Sequence, residues 1–113
     1  MKLITAIIRE ELIDQVREAL IAAEIDRITV SRVSGHGVQR TEEVHRGVTV
    51  IPSLIPKVRL DIAVNDAFVD ITVDTILNTA VGENPQIGAG KIFITNLEQC
   101  IRIRTRERGP QAI

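Results

Sequence analysis

The sequence contains no tryptophan and no tyrosine, and only two phenylalanines, Phe68 and Phe93. Chemistry that needs a phenol is therefore excluded. So is a base-stacking platform for single-stranded nucleic acid, which requires exposed rings. Both phenylalanines sit in apolar runs and are expected in the core. The single cysteine, Cys100, excludes an internal disulfide and a cysteine-built zinc cage. No apolar run approaches the roughly 18 residues of a membrane span. Residues 1–8 lack a signal-peptide cleavage pattern, so a cytoplasmic protein without membrane insertion is expected. With 14 basic and 15 acidic side chains the net charge is −1, which gives no sign of a general nucleic-acid-binding surface.

What remains is ordinary globular material, 44% apolar and 26% charged over 113 residues. That length fits a single domain, residues 1–113. A chain this short buries only about two thirds of its unfolded surface, so oligomerisation is a natural supplement. Residues 2–8, short and rich in isoleucine, read as a strand. Residues 10–23 read as a helix, with Leu12, Val16, Leu20 and Ala23 on one face. Residues 27–34 return to β-branched types and give a second strand. In 57–64, Val58, Leu60, Ile62 and Val64 alternate with Lys57, Arg59, Asp61 and Ala63, so a third strand buries one face. Asn65 or Asp66 can cap a second helix over 67–81, with Val69, Val73, Ile76 and Ala80 inward. A fourth strand follows at 91–97 and a short fifth at 100–105. The order β-α-β-β-α-β predicts an α+β, ferredoxin-like sandwich, an antiparallel sheet with two helices on one face.

Three segments invite function. The first is the connection 36–56, charged in its first half and apolar in its second; at about 20 residues it far exceeds a usual hairpin loop. It reads either as a long hairpin folded back on its own domain or as an arm that docks on a partner. At its root, Gly35-His36-Gly37-Val38-Gln39 permits close backbone approach, and the Gln39 carbonyl oxygen suits a hard cation such as Mg²⁺. The second is Gly88-Ala89-Gly90-Lys91, where turn amides can form an anion nest beside a lysine charge, without Walker spacing. The third is Arg102-Ile103-Arg104-Thr105-Arg106. If this run is extended, its arginines share one face and call for an anion between them. No nucleophile–base pair stands out, and nothing argues for catalysis.

Together these pieces resemble the nitrogen-regulatory PII signalling family. The likeness runs through MKLITAII, TVSRVSGHGVQ, HRG, PKVRLDI, IGAGKIFI and the closing IRIRTRERGPQAI. It implies a non-enzymatic homotrimer that binds ATP or ADP between subunits, with Mg²⁺ and 2-oxoglutarate as further ligands. In that family's terms 36–56 is the T-loop-like arm, 82–90 the B-loop-like segment and 98–113 the C-terminal segment. By resemblance, Thr29, Gly35 and Ala63 surround the adenosine, with Gly37 and Val38 beside the nucleotide. Gly88, Ala89, Gly90 and Lys91 hold phosphates, and Arg102 and Arg104 close over them from one subunit or its neighbour. Gln39 ligates Mg²⁺ and touches 2-oxoglutarate, whose distal carboxylate pairs with Lys57. Arg46, Val48 and Val50 fall on the partner-binding arm, whose target is an ammonium transporter or a metabolic enzyme.

The departures are chemical. The family's modified tyrosine falls on Val50 and its phosphorylated serine on Val48, so neither modification can occur here. An arginine at the arm's root is Val38, and the acid of the GDGK turn is Ala89. Losing that arginine predicts a weaker preference for ATP over ADP. Alternatives stay open: a divergent sensor of another metabolite such as bicarbonate, or a small phosphate-handling enzyme, for which only Asp61 and the loop acids offer a base. An RNA-binding module shares this element order, but the missing sheet aromatics discriminate against it.

Overall fold

In β1 (Lys2–Arg9), Ile4, Ala6 and Ile8 are buried while their neighbours face the other side of the sheet. The computed structural model describes residues 1–41, 49–81 and 89–113, and for residues 37–41 and 49–52 the strand pairing alone. A 3₁₀ turn at Glu10–Leu12 leads into α1 (Ile13–Ala22), whose Val16 and Leu20 are buried. Its first turns carry Glu10, Glu11 and Asp14, where the helix dipole favours negative charge. The helix stops in a Schellman turn: the Ile25 N–H reaches Leu20 O at 2.8 Å, and Glu24 N–H reaches Ile21 O at 2.9 Å. Glu24 takes the left-handed φ of 66° that this turn needs.

The chain then enters β2 (Thr29–Thr41) and returns through β3 (Thr49–Val64). A second 3₁₀ turn, Asp66–Phe68, opens α2 (Val69–Ala80), and β4 (Gly90–Asn96) closes the sheet. Strand order is β2-β3-β1-β4 with antiparallel pairing throughout. This is the ferredoxin-like arrangement predicted from the element order. Val58, Leu60, Ile62 and Val64 of β3 join Ile4, Ala6, Ile8, Val16, Leu20 and Ile76 in one core. The buried Thr72 hydroxyl donates to the Phe68 carbonyl at 2.7 Å, so it costs the core no unpaired group.

Four expectations change. The connection 36–56 is largely paired strand: β2 and β3 run on as a ribbon from Ser34↔Pro56 to Thr41↔Thr49. Pro52 and Pro56 are tolerated because β1 ends its pairing with β3 at Lys57, which leaves one side of β3 without a ladder to serve. Phe68 and Phe93 are about half exposed, at 48% and 51%, because they lie at the rim and on the uncovered face of the sheet. The fifth strand is a single bridge, Ile101↔Arg108, followed by turns. Asn65 precedes the 3₁₀ turn but its side chain makes no cap; it donates instead to the Pro110 carbonyl at 3.2 Å.

Candidate functional site

The sheet face opposite the helices carries Thr29, Gly35, Lys57, Ala63 and Lys91 among the residues singled out above. Strand alternation puts Lys57, Arg59, Asp61 and Ala63 of β3 on that face. Thr29 lies opposite Asp61, and by the same alternation Gly35 (opposite Ile55) and Lys91 (opposite Ile7) fall on that face. Asp61 is tied in place. It accepts from the Thr5 hydroxyl at 2.8 Å and from Arg59 Nε at 3.0 Å.

The structure does not bring the expected nucleotide residues together within one chain. Thr29 and Gly35 are six residues apart on β2, about 20 Å at roughly 3.3 Å per residue. One adenosine cannot touch both. Gly90 and Lys91 start β4, across the sheet from β2 by about 14 Å at roughly 4.8 Å per strand. The residues sort instead into two ends. Gly35, Lys57, Gly90 and Lys91 lie toward the ribbon, as do Gly37, Val38 and Gln39, which pair with Ser53, Pro52 and Ile51. Thr29, Ala63 and the C-terminal segment lie toward the other end. Ala89 is half-buried just before β4. Gly88, Arg46 and Val48 lie outside the described residues, and of Val50 the pairing with Arg40 is described.

At the far end, Ala63 helps line a groove of about 200 Å³. Its walls include Asp26, Arg27, Asn65, Phe68 and Ile113. No sequence pattern pointed to these residues, because the groove joins segments far apart in the chain. The Schellman turn is what aims Asp26 and Arg27 at it.

The C-terminal arginines do not form the extended comb. Residues 100–109 fold back: Arg102 N–H donates to Glu107 O at 3.0 Å, and Gly109 N–H to Cys100 O at 2.9 Å. Arg106 takes a left-handed φ of 63°, which turns it off the line of Arg102 and Arg104. Arg104 is exposed in the turn. Arg102 is partly buried, with Nη1 3.6 Å from Glu107.

Comparison with known proteins decides the family. Residues 1–107 match the family model described as "Nitrogen regulatory protein P-II". The whole chain aligns with "Nitrogen regulatory protein GlnK1" of Methanosarcina mazei at 44% identity, covering 97% of that protein. It aligns at 44% with "Nitrogen regulatory protein P-II 1" of Escherichia coli and at 40% with "Nitrogen regulatory protein P-II" of Rhodobacter capsulatus, each over its full length. The chain belongs to the P-II family.

As a P-II protein it is a nitrogen-signalling regulator, and its relatives are named as regulatory proteins. No helix among the described residues of this P-II chain is long and apolar enough to cross a membrane. Two local features can be tested directly. A Cβ at Gly35 would meet Lys57 Cγ at 3.6 Å, an ordinary contact. Gly35→Ala is therefore expected to change stability by no more than about 1 kcal/mol. A fall in nucleotide affinity without a fall in Tm then assigns this glycine to ligand approach. The second feature is the Met1 ammonium, 2.8 Å from Asp66. Its hydrogen bond, then its charge, holds the Asp66 carboxyl below the usual aspartate range. Stability from a depressed carboxylate is present at neutral pH and lost as pH falls through the folded-state value. The Tm gap between the P-II wild type and Asp66→Asn should therefore narrow below about pH 4.

Proposed function

We propose that this P-II protein is a non-enzymatic, cytoplasmic homotrimer that binds ATP or ADP in clefts between subunits. Through its ribbon it controls a target protein, an ammonium transporter or a metabolic enzyme. The observation that carries this reading is the separation of the nucleotide residues into two ends of one sheet. Each end is an incomplete site. A second copy laid head to tail, its Thr29–Ala63–Arg102 end against this copy's Gly35–Gly90–Lys91 end, makes a whole one. Such a contact is heterologous, and repeated with a suitable rotation it closes into a ring. The half-exposed Phe93 on the uncovered sheet face gives that assembly apolar surface to bury.

Within the cleft, the backbone at Gly90 and the Lys91 charge suit the phosphates, and the groove beside Ala63 suits the flatter base. Lys57 pairs with Val33, and Gln39 lies six residues further along β2, about 20 Å at roughly 3.3 Å per residue. Gln39 is the group for Mg²⁺ and Lys57 the group for a carboxylate of 2-oxoglutarate, each from its own place on the ribbon. Among the described residues no cluster of His, Cys, Asp or Glu gathers for a metal. Magnesium commonly takes most of its oxygen ligands from phosphate and water, which suits a site to which Gln39 alone is assigned.

Calorimetric titration with ADP and with ATP tests the reading, alongside sedimentation. Both nucleotides are expected to bind a trimer. ATP should gain little over ADP, because Val38 lacks a charged donor worth about 1.5–3 kcal/mol. A species that sediments as a monomer and still binds nucleotide tightly would sink the shared cleft.

A further inference from the structure

Residues 110–113 lie against Arg102, the arginine that the nucleotide reading assigns to phosphate. Arg102 Nη2 donates to a main-chain oxygen of Ile113 at 3.3 Å and, more loosely, to Gln111 O at 3.5 Å. Its Nη1 faces Glu107. Both ends of the guanidinium fork are thus engaged within the chain. The segment they hold is docked by other means as well. Pro110–Ala112 form a 3₁₀ turn, with the Ala112 N–H bonded to Gly109 O at 2.9 Å. Ala112 is 7% exposed, and Asn65 Nδ2 holds the Pro110 carbonyl. Ile113 forms part of the wall of the groove beside Ala63 and Phe68. The segment therefore touches both parts of the far half-site, the arginine and the base groove.

We infer that residues 110–113 are an autoinhibitory strap that competes with polyphosphate for Arg102 and leaves the groove when phosphate takes its place. This rests on the nucleotide reading above. A guanidinium binds phosphate best through two parallel N–H bonds, and here those hydrogens point at main-chain oxygens and Glu107. The contacts to Gln111 O at 3.5 Å and Glu107 at 3.6 Å are long, whereas a phosphate offers the guanidinium two short parallel bonds, so the exchange favours the ligand once it arrives. Before then the strap lowers apparent affinity by the fraction of time it is closed. Losing Arg102 frees the segment that ends at Ile113, so strap release also reshapes the groove wall.

The test uses the full chain and two substitutions that loosen the strap without touching Arg102 or the groove wall: Pro110→Gly, which frees the start of the 3₁₀ turn, and Ala112→Gln, which overfills a buried site. Amide exchange at Ala112 is followed with and without saturating ADP, and ADP affinity is measured by calorimetry. The strap predicts faster exchange at Ala112 with ADP in the wild type. It also predicts about three- to tenfold tighter ADP binding in both variants. ADP that binds while exchange at Ala112 stays the same or slows overturns the strap and leaves the nucleotide reading intact. Faster exchange together with unchanged or weaker affinity in both variants also overturns it, because the segment then moves without competing. No ADP binding by the wild type or either variant overturns the nucleotide reading, and the strap with it.

Discussion

Alanine at both Arg102 and Arg104 is expected to abolish measurable ADP binding while the subunits stay assembled. Each charged contact to phosphate is worth about 1.5–3 kcal/mol. Losing two therefore weakens binding by about 10²–10⁴-fold. The fold should survive, since neither side chain belongs to the core: Arg104 is exposed and Arg102 lies in a C-terminal turn. The single variants separate two roles. Arg104→Ala removes only a charge that stands in solvent. Arg102→Ala also unties Gln111 and Ile113, so it should raise amide exchange in the last residues even without ligand. Calorimetry and sedimentation on the double variant decide the matter. Undiminished ADP binding would move the cleft elsewhere on the molecule.

The second large effect is expected at Gly90. Its φ of 124° is a conformation that residues with a side chain rarely adopt, and a Cβ there would sit 2.0 Å from the Ile7 carbonyl oxygen. That atom belongs to β1, a central strand, and cannot step aside without breaking the sheet. Gly90→Ala should therefore cost about 3 kcal/mol or more and detach the start of β4 from Ile7 and Ile8. Lys91, the next residue, would lose its position on the open face. A lowered urea midpoint together with lost ADP binding is the expected pair of results. A variant as stable as the wild type would mean that the strand can shift enough to admit a methyl group.

Much of the fold could be read because burial in it follows simple alternation. Val58, Leu60, Ile62 and Val64 are the inner row of β3, as their spacing required. Likewise Val16 and Leu20 are the inner stripe of α1. The errors have physical causes. Phe93 looked like core because its neighbours are apolar, yet it lies half exposed on a face that none of the described residues covers. The arginine comb assumed an extended backbone, and Arg106 breaks it with a left-handed turn. Glycines and prolines made 36–56 look like a loop, whereas prolines are harmless where a strand has only one neighbour. The glycine turn and the arginines could be found from residue chemistry alone. The groove beside Ala63 could not, because Asp26, Phe68 and Ile113 meet only once the sheet and its helices are in place. The family resemblance supplied what spacing could not, namely a proposal for which of these groups share one ligand.

The ribbon beyond Lys57 has a mechanical consequence. Eight cross-strand pairs, from Ser34↔Pro56 to Thr41↔Thr49, project as a stiffened lever about 25 Å long, at roughly 3.3 Å per residue. A tilt of about 10° at its base sweeps the far pair through about 4 Å, a displacement comparable to the spacing between neighbouring strands. A ligand that repositions one side chain at the pivot can thus convert a sub-ångström adjustment into a stroke large enough to admit or refuse a docking surface.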